Sequence, residues 1–591
     1  MKNSMFRSSC AVILLLCAWT AVAQSPESRV VVYSANKIVT MDDDQPTGRF
    51  VAVHDGRILG VADRLEGLTP LIGDRETIVD TQFVDRILMP GFIDPHLHPI
   101  MAAVLLPTTF ITPEDWELPT QLVAGVTSPD GYRDKLAQEV AASDDAVIIT
   151  WGYHQLWHGP LDRKDLDAIE SDRPVIVWHR SFHEIVVNSA AMTYLGFPDA
   201  STFASALSQP GVDPSHANYE AGHISETALA LAFPALQRIV FTPEHLQTGM
   251  AMLRTMMLKA GVTTIADMAT GIFAPFEMES AIIRNSFERD DSPARVVLVP
   301  TMSQMIARKG SLDAAISYLR DAQTAAQGHR VFLNNRVKVF ADGAFFSQYM
   351  RMNPPGYDDG HEGKWLTVPS ELDRITRALW AAGFTIHCHV NGDEGLDVVL
   401  DILEAAQAET PRTDHRFTLE HVGYSSPAQS ERVAALGALV SAQPNYLFVL
   451  SRQYSEHGLG PERASQMSRL GSFEKQGVRI ALHSDLTMAP VDPLFLAWIA
   501  ANRINMEGET MAPDERLSLD KALRAITIDA AYVLGLESEI GSISAGKRAD
   551  FAVVDRDPYE AGAAALKDIQ VHGVVFEGVP YPLNQGGGVR N

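Results

Sequence analysis

The sequence predicts an α/β protein: a (β/α)₈ barrel carrying a small β-domain assembled from both chain ends and an insertion after the first barrel strand. Three observations lead there. Eight apolar runs, at 87–93, 262–267, 295–300, 336–340, 384–388, 417–420, 438–443 and 478–483, alternate with amphipathic stretches such as 370–382 and 428–436. Strands covered on both faces read as unbroken apolar runs, and eight of them separated by helices suit a closed parallel barrel. The two flanks are different. Residues 29–85 and 551–576 hold short alternating segments, with Asp55-Gly56 between two of them as a two-residue hairpin turn. Neither flank has enough strands to fold alone, so 24–88 and 535–591 are expected to pair into one composite β-sandwich. The stretch from 99 to 261 is too long for a loop and has strand-like pieces at 146–151 and 174–178. A subdomain inserted at about 101–250, within a barrel spanning 89–534, is expected to overhang the barrel mouth.

Composition sets the broad class. The chain has 591 residues, 46% of them hydrophobic and 20% charged, the balance of an ordinary globular protein too long for one small domain. Its net charge of -25 comes without basic runs, which excludes nucleic acid and anionic lipid as partners. Lys2 and Arg7 precede an apolar stretch at 11–18 and Ala21-Val22-Ala23. That is the pattern of a signal peptide over 1–23, cleaved near Ala23, with export to a bacterial periplasm expected. The apolar stretch is short for a membrane span, an uncleaved membrane anchor being the alternative to cleavage, and Leu16 before Cys17 is not the small residue a lipid anchor needs. Removal of Cys10 and Cys17 leaves Cys388 alone, so the mature chain is expected to have no intramolecular disulfide.

Barrel enzymes place reactive groups at the C-terminal ends of strands. The first run leads to His96 and His98, two apart and so on one side of an extended segment. The fourth carries Lys338, the fifth ends in His387-Cys388-His389, the sixth in Glu420-His421 and the eighth in His483-Ser484-Asp485. Imidazoles and a carboxylate converging on one rim are divalent-metal ligands, with zinc the default and iron or manganese compatible. A protonated amine cannot ligate, but carboxylation of Lys338 by CO₂ would make a carbamate able to bridge two ions, and an apolar strand favours the neutral amine this requires. Asp485 is the expected carboxylate ligand and proton acceptor. Asp267, Gln443 and Arg503 are candidate supports for the ligands, and Trp151, His154, Trp157 and His158 crowd one loop of the insertion.

The motifs M-P-G-F-I-D-P-H-L-H (89–98), G-V-T-T-I-A-D (261–267), V-K-V-F-A-D-G (337–343), H-V-N-G-D (389–393), E-H (420–421), H-S-D (483–485) and G-S-I-S-A-G-K-R-A-D-F-A-V-V-D (541–555), with H-x-x-x-x-N-S at 183–189, resemble the amidohydrolase superfamily. The branch they resemble is the YtcJ-like one that contains N-substituted formamide deformylases, over about residues 28–558. The resemblance implies a β-sandwich plus barrel and hydroxide activated by metal. It implies His96, His98 and Asp485 on one ion, His389 and His421 on the other, and Lys338 between them. The family's D-G-S-L-G-S after strand four is replaced by Asp342-Gly343-Ala344-Phe345-Phe346-Ser347, so specificity does not carry over. His183, Asn188, Phe345, Phe346 and His154 are the candidate substrate contacts. The expected activity is hydrolysis of an amide or related C–N bond in a small molecule. The alternatives are a mononuclear-metal deaminase and a non-catalytic regulatory or binding protein on the same scaffold; a homo-oligomer is compatible with each.

Overall fold

The computed structural model describes residues 29–209, 212–325 and 327–583. The expected signal peptide lies outside these residues. At the centre stand eight parallel strands: β1 (Phe92–Leu97), β2 (Val262–Thr270), β3 (Arg295–Pro300), β4 (Arg336–Phe340), β5 (Thr385–Val390), β6 (Thr418–His421), β7 (Leu439–Ala442) and β8 (Ile480–Leu482). They form two ladders. β1, β2 and β3 pair in sequence and end on a short strand at Val331–Leu333, while β4 to β8 pair in sequence. The ladders approach each other twice: Thr301, past β3, bridges Lys338 on β4, and the Asp485 N–H, past β8, donates to the His96 carbonyl at 2.9 Å.

The strands are buried almost throughout, which is why they read as uninterrupted apolar runs rather than alternating ones. The connecting helices show the complementary pattern. In Pro369–Ala381 the buried positions are Leu372, Ile375, Thr376, Leu379 and Trp380, one stripe at helical spacing. Pro427–Leu436 opens with a capping box between Ser426 and Gln429 and stops at Gly437, whose φ of 69° is left-handed.

Both chain ends build one seven-stranded sheet, ordered Val579–Pro582, Val571–Phe576, Phe551–Val554, Thr77–Pro90, Val30–Val39, Thr47–His54, Arg57–Ala62. The strands expected for the composite β-sandwich join in one hydrogen-bonded ladder, because the 14-residue strand Thr77–Pro90 pairs on both sides. That strand also absorbs 87–90, which the sequence assigns to the barrel. Gly91 separates it from β1 where a Cβ would lie 2.2 Å from Thr263 Oγ1. At the expected hairpin turn, Asp55 and Gly56 both have positive φ, 49° and 72°. Buried Arg295, at the start of β3, pairs with Asp550 and with Glu577, fixing the sheet to the N-terminal end of β3.

Between β1 and β2 the chain forms a second small sheet, ordered Ala217–Asn218, His223–Ser225, Glu184–Val187, Val175–His179, Ile148–Tyr153, Thr109–Phe110. The helix Pro243–Lys259 returns the chain to β2 and packs closely on Pro99–Leu105: a Cβ at Gly249 would stand 2.2 Å from the Ala103 carbonyl oxygen. Three contacts seat the insertion against the loops that follow the central strands. His154 Nε2 lies 2.9 Å from the Phe346 carbonyl, past β4. The Phe182 ring meets Phe273, past β2, edge to face at 5.4 Å. Arg180, past Val175–His179, donates to the carbonyls of Thr487 at 3.0 Å and Met488 at 2.7 Å, past β8. No helix among the described residues is long and apolar enough to cross a membrane.

Candidate metal centre

The strand ends bring five of the six sequence-predicted ligands into one cluster of rings and a carboxylate. His96, His98 and Asp485 place ligand atoms within 4.8 Å of one another, and so do His96, His421 and His483. His98 Nε2 is 3.0 Å from Asp485 Oδ1 and His96 Nε2 is 3.5 Å from it. His421 Nδ1 is 3.8 Å from Asp485 Oδ2. His389 stands at the edge, its ring 4.5 Å from that of His421 and its Nε2 3.1 Å from Asn391 Nδ2. Lys338, the sixth, is buried beneath, and its Nζ has no hydrogen-bond partner.

Backbone geometry helps to aim these groups. His421, the last residue of β6, and Asp485, three residues past β8, have φ of 75° and 52°. Non-glycine residues enter this region at a cost of order 1–3 kcal/mol, and such strain concentrates at functional sites. The loop after β5 is held by Asp342, whose carboxylate accepts the N–H groups of Asn391, Gly392 and Arg351 at 2.8, 2.8 and 2.9 Å. Gly392 is required there, since a Cβ would sit 1.9 Å from the Arg351 carbonyl oxygen.

Beneath the ligand rings lies a carboxylate to which the sequence reading assigns no role. Glu420 is fully buried on β6; its Oε2 is 2.7 Å from His96 Nδ1 and its Oε1 2.6 Å from His387 Nδ1. His483 Nδ1 lies 3.7 Å from Oε2 and bonds the Ser441 hydroxyl at 2.8 Å, while its Nε2 is 3.1 Å from His421 Nδ1. An acid inside the four-residue strand Thr-Leu-Glu-His is the signal that could have found it. Asp94 supports the last loop, accepting the Ser484 hydroxyl at 2.5 Å and the Ser484 N–H at 3.2 Å.

The electrostatics favour neutral rings at His96, His421, His483 and His389, facing an anion. Burial pulls His96 and His421 well below the usual imidazole range, His483 to about 4 and His389 to about 3. Burial pushes Asp485 upward, but the hydrogen bond and charge of His98 hold it below the usual carboxylate range. Burial lowers Lys338 toward the neutral amine. Neutral nitrogen lone pairs, an ionised carboxylate, and unpartnered His98 Nδ1 and Lys338 Nζ make a donor set that fits a divalent cation.

The expected substrate contacts are more dispersed. His183 is about one-third exposed and its Nδ1 is 3.1 Å from Glu226 Oε2. Phe345 is buried and stacks on Tyr446 and Tyr454 at 4.3 and 4.8 Å. Phe346 is buried under the Arg180 guanidinium at 4.7 Å. His154 uses both ring nitrogens, one on Phe346 O and one accepting the Leu156 N–H. Asn188 accepts the N–H groups of Val175 and Ala191 and donates to the carbonyls of Glu170 and Arg173. Asn188 is therefore spent on local structure. Asp267 Oδ1 is 4.0 Å from His98 Nδ1, Gln443 donates to the Ser484 carbonyl, and Arg503 holds carbonyls at 465–468 and 511.

Comparison with known proteins agrees with this architecture. A solved structure described as an uncharacterized metal-dependent hydrolase from Pyrococcus horikoshii OT3 superposes with a TM-score of 0.66 at 22% identity, covering 90% of this chain and 98% of that one. N-substituted formamide deformylase from Arthrobacter pascens is 24% identical over 93% of this chain and 97% of its own length. Protein LONG AFTER FAR-RED 3 from Arabidopsis thaliana is 25% identical over 88% of this chain and 86% of its own. The model of the amidohydrolase family matches residues 84–581, and the chain belongs to that family.

Proposed function

We propose that this amidohydrolase cleaves an amide or related C–N bond of a small molecule at a divalent-metal site held by His96, His98 and Asp485, with His421, His389 and Lys338 completing it. The eight central strands then act as one closed barrel, with the insertion as its roof. The observation that carries the reading is the convergence of His96, His98 and Asp485 within 4.8 Å at the ends of strands far apart in sequence. A cation bound there supplies Lewis acidity, lowering the pKa of a water and polarising the scissile carbonyl. The chain's own groups do the rest. Asp485, ionised and beside His98, takes the proton of the attacking water. As the C–N bond breaks, it delivers that proton to the departing nitrogen, so water ends as the acyl hydroxyl and the amine hydrogen. The partly open His98, His389 and Asp485 edge is where substrate enters, with His183 above it. Export to a periplasm, zinc as the metal and a carbamate on Lys338 belong to the same proposal.

One observation favours a single ion over two. Both ligand groups share His96, while His389 Nε2 faces Asn391. A single ion is what the mononuclear, deaminase-like alternative expects, whereas the buried Lys338 is what the two-metal reading expects. Elemental analysis of the purified mature protein, followed by an amide, carbamate and N-acyl amino acid panel with and without chelator, tests the reading. About one or two zinc per chain and chelator-sensitive release of amine are expected. Asp485→Asn should lower kcat by about 10²–10⁴. Full turnover in that variant removes Asp485 as the proton acceptor.

A further inference from the structure

The ligand rings rest on a carboxylate that touches no open space. We infer that Glu420 is the positioning residue that sets the metal-facing nitrogen of His96, by accepting one hydrogen bond from His96 and one from His387 on its two oxygens. The inference rests on the metal reading above and goes beyond it, because it concerns which atom of a ligand is free to bind.

The geometry leaves little freedom. Glu420 is fully buried, as is His387, and the two carboxylate oxygens lie 2.7 Å from His96 Nδ1 and 2.6 Å from His387 Nδ1. A carboxylate only accepts, so both Nδ1 atoms must carry protons. Each ring is then locked in one tautomer. For His96 the bare lone pair sits on Nε2, the atom 3.5 Å from Asp485 Oδ1. Metal-bound imidazoles depend on such a partner at the second nitrogen for both tautomer and orientation. Strand register supplies the arrangement: Glu420 on β6 lies opposite His389 on β5 and Ser441 on β7, while His387 sits two residues earlier on β5 and opposite Lys338. The two histidines of His387-Cys388-His389 therefore divide their duties, one bracing the carboxylate from below and one at the open edge.

Two donors facing one group require two acceptors. An amide offers one oxygen and one NH₂, so Glu420→Gln satisfies one ring and confronts the other with a donor. That ring must turn over or change tautomer, and if it is His96 the lone pair leaves the metal side. His387→Phe removes the second donor and lets Glu420 keep its bond to His96.

The test is zinc affinity of the full-length mature protein, measured by competition with a chromophoric chelator, with cobalt-substituted spectra as a second readout. Glu420→Gln is expected to bind zinc about 10–100-fold more weakly and to change the cobalt ligand-field bands. His387→Phe should keep affinity within a few-fold of wild type, with circular dichroism and unfolding midpoints checking both folds. Unchanged affinity in Glu420→Gln, or an equal loss in His387→Phe, overturns the proposal. Should Glu420→Gln fail to fold, ¹⁵N-histidine spectra of the wild type decide: a slowly exchanging, strongly deshielded proton on His96 Nδ1 supports it, and a proton on Nε2 overturns it. Wild-type protein that takes up no zinc overturns both this and the metal reading, whereas zinc bound equally by wild type and Glu420→Gln overturns this one alone.

Discussion

Two groups of buried histidines occupy this molecule, and they differ in what their second nitrogen is doing. In the insertion, His154, His158 and His179 lie within a few ångströms of each other, and both nitrogens of each are committed. His158 accepts the His154 N–H on Nδ1 and faces the Val126 carbonyl with Nε2. His179 meets Ser181 and Gln155. Around the strand ends, His96 and His387 each anchor one nitrogen on Glu420, and His98 Nδ1 and His387 Nε2 are buried without a partner. Burial lowers His154 and His179 in one group and His96 and His387 in the other, so neither burial nor histidine density separates them. What sets the strand-end group apart is that two of its ring nitrogens, His98 Nδ1 and His387 Nε2, have no hydrogen-bond partner.

Substitution should separate the two groups in the same terms. His98→Ala is expected to weaken zinc binding by more than about a hundredfold with little loss of stability, read by chelator competition and urea unfolding. His154→Ala should do the reverse. It removes the ring that faces Phe346 O and the acceptor of the Leu156 N–H, costing about 1–3 kcal/mol with zinc content unchanged. If His154→Ala also emptied the metal centre, the distinction between the groups would collapse.

The smallest effect concerns the pair between the two groups. Burial opposes the charge on His183, but Glu226 outweighs it and raises His183 above 6.5, while His183 holds Glu226 below 4.5. The His183 contribution is full below pH 6.5 and is lost as pH rises through its folded value. The Glu226 contribution is full above pH 4.5 and is lost as pH falls through its own. With His183 about one-third exposed, the pair is worth no more than about 1 kcal/mol. Glu226→Gln should move the His183 titration down, followed by the NMR shift of its Cε1 proton. A stationary midpoint would show that Glu226 is not what holds the charge.

The strand framework was legible because burial on both faces leaves runs of apolar residues, and β3 and β4 match their sequence bounds residue for residue. His96, His98, His421 and Asp485 could be read because each follows such a run. Glu420 could not be assigned, since its partners lie 324 and 33 residues away and only strand register brings them together. The start of β1 was misread for a related reason. Residues 87–90 are as apolar as a barrel strand, but they extend a strand whose other neighbours come from both ends of the chain. The aromatic and histidine crowding at 151–158 suits packing or a pocket wall, and the structure engages both ring nitrogens of His154 and of His158 in hydrogen bonds.

The seven-stranded sheet has a consequence for the order in which the molecule can be completed on the ribosome. Thr77–Pro90 finds its first neighbour at once in Val30–Val39, but its other neighbour, Phe551–Val554, emerges roughly 460 residues later. At synthesis rates of about 5–20 residues per second, one side of that long strand waits roughly half a minute or more with its amides and carbonyls unpaired. A waiting strand of this kind invites pairing with a second nascent chain. Pairing of Phe551–Val554 with Thr77–Pro90 is therefore the step that closes this edge.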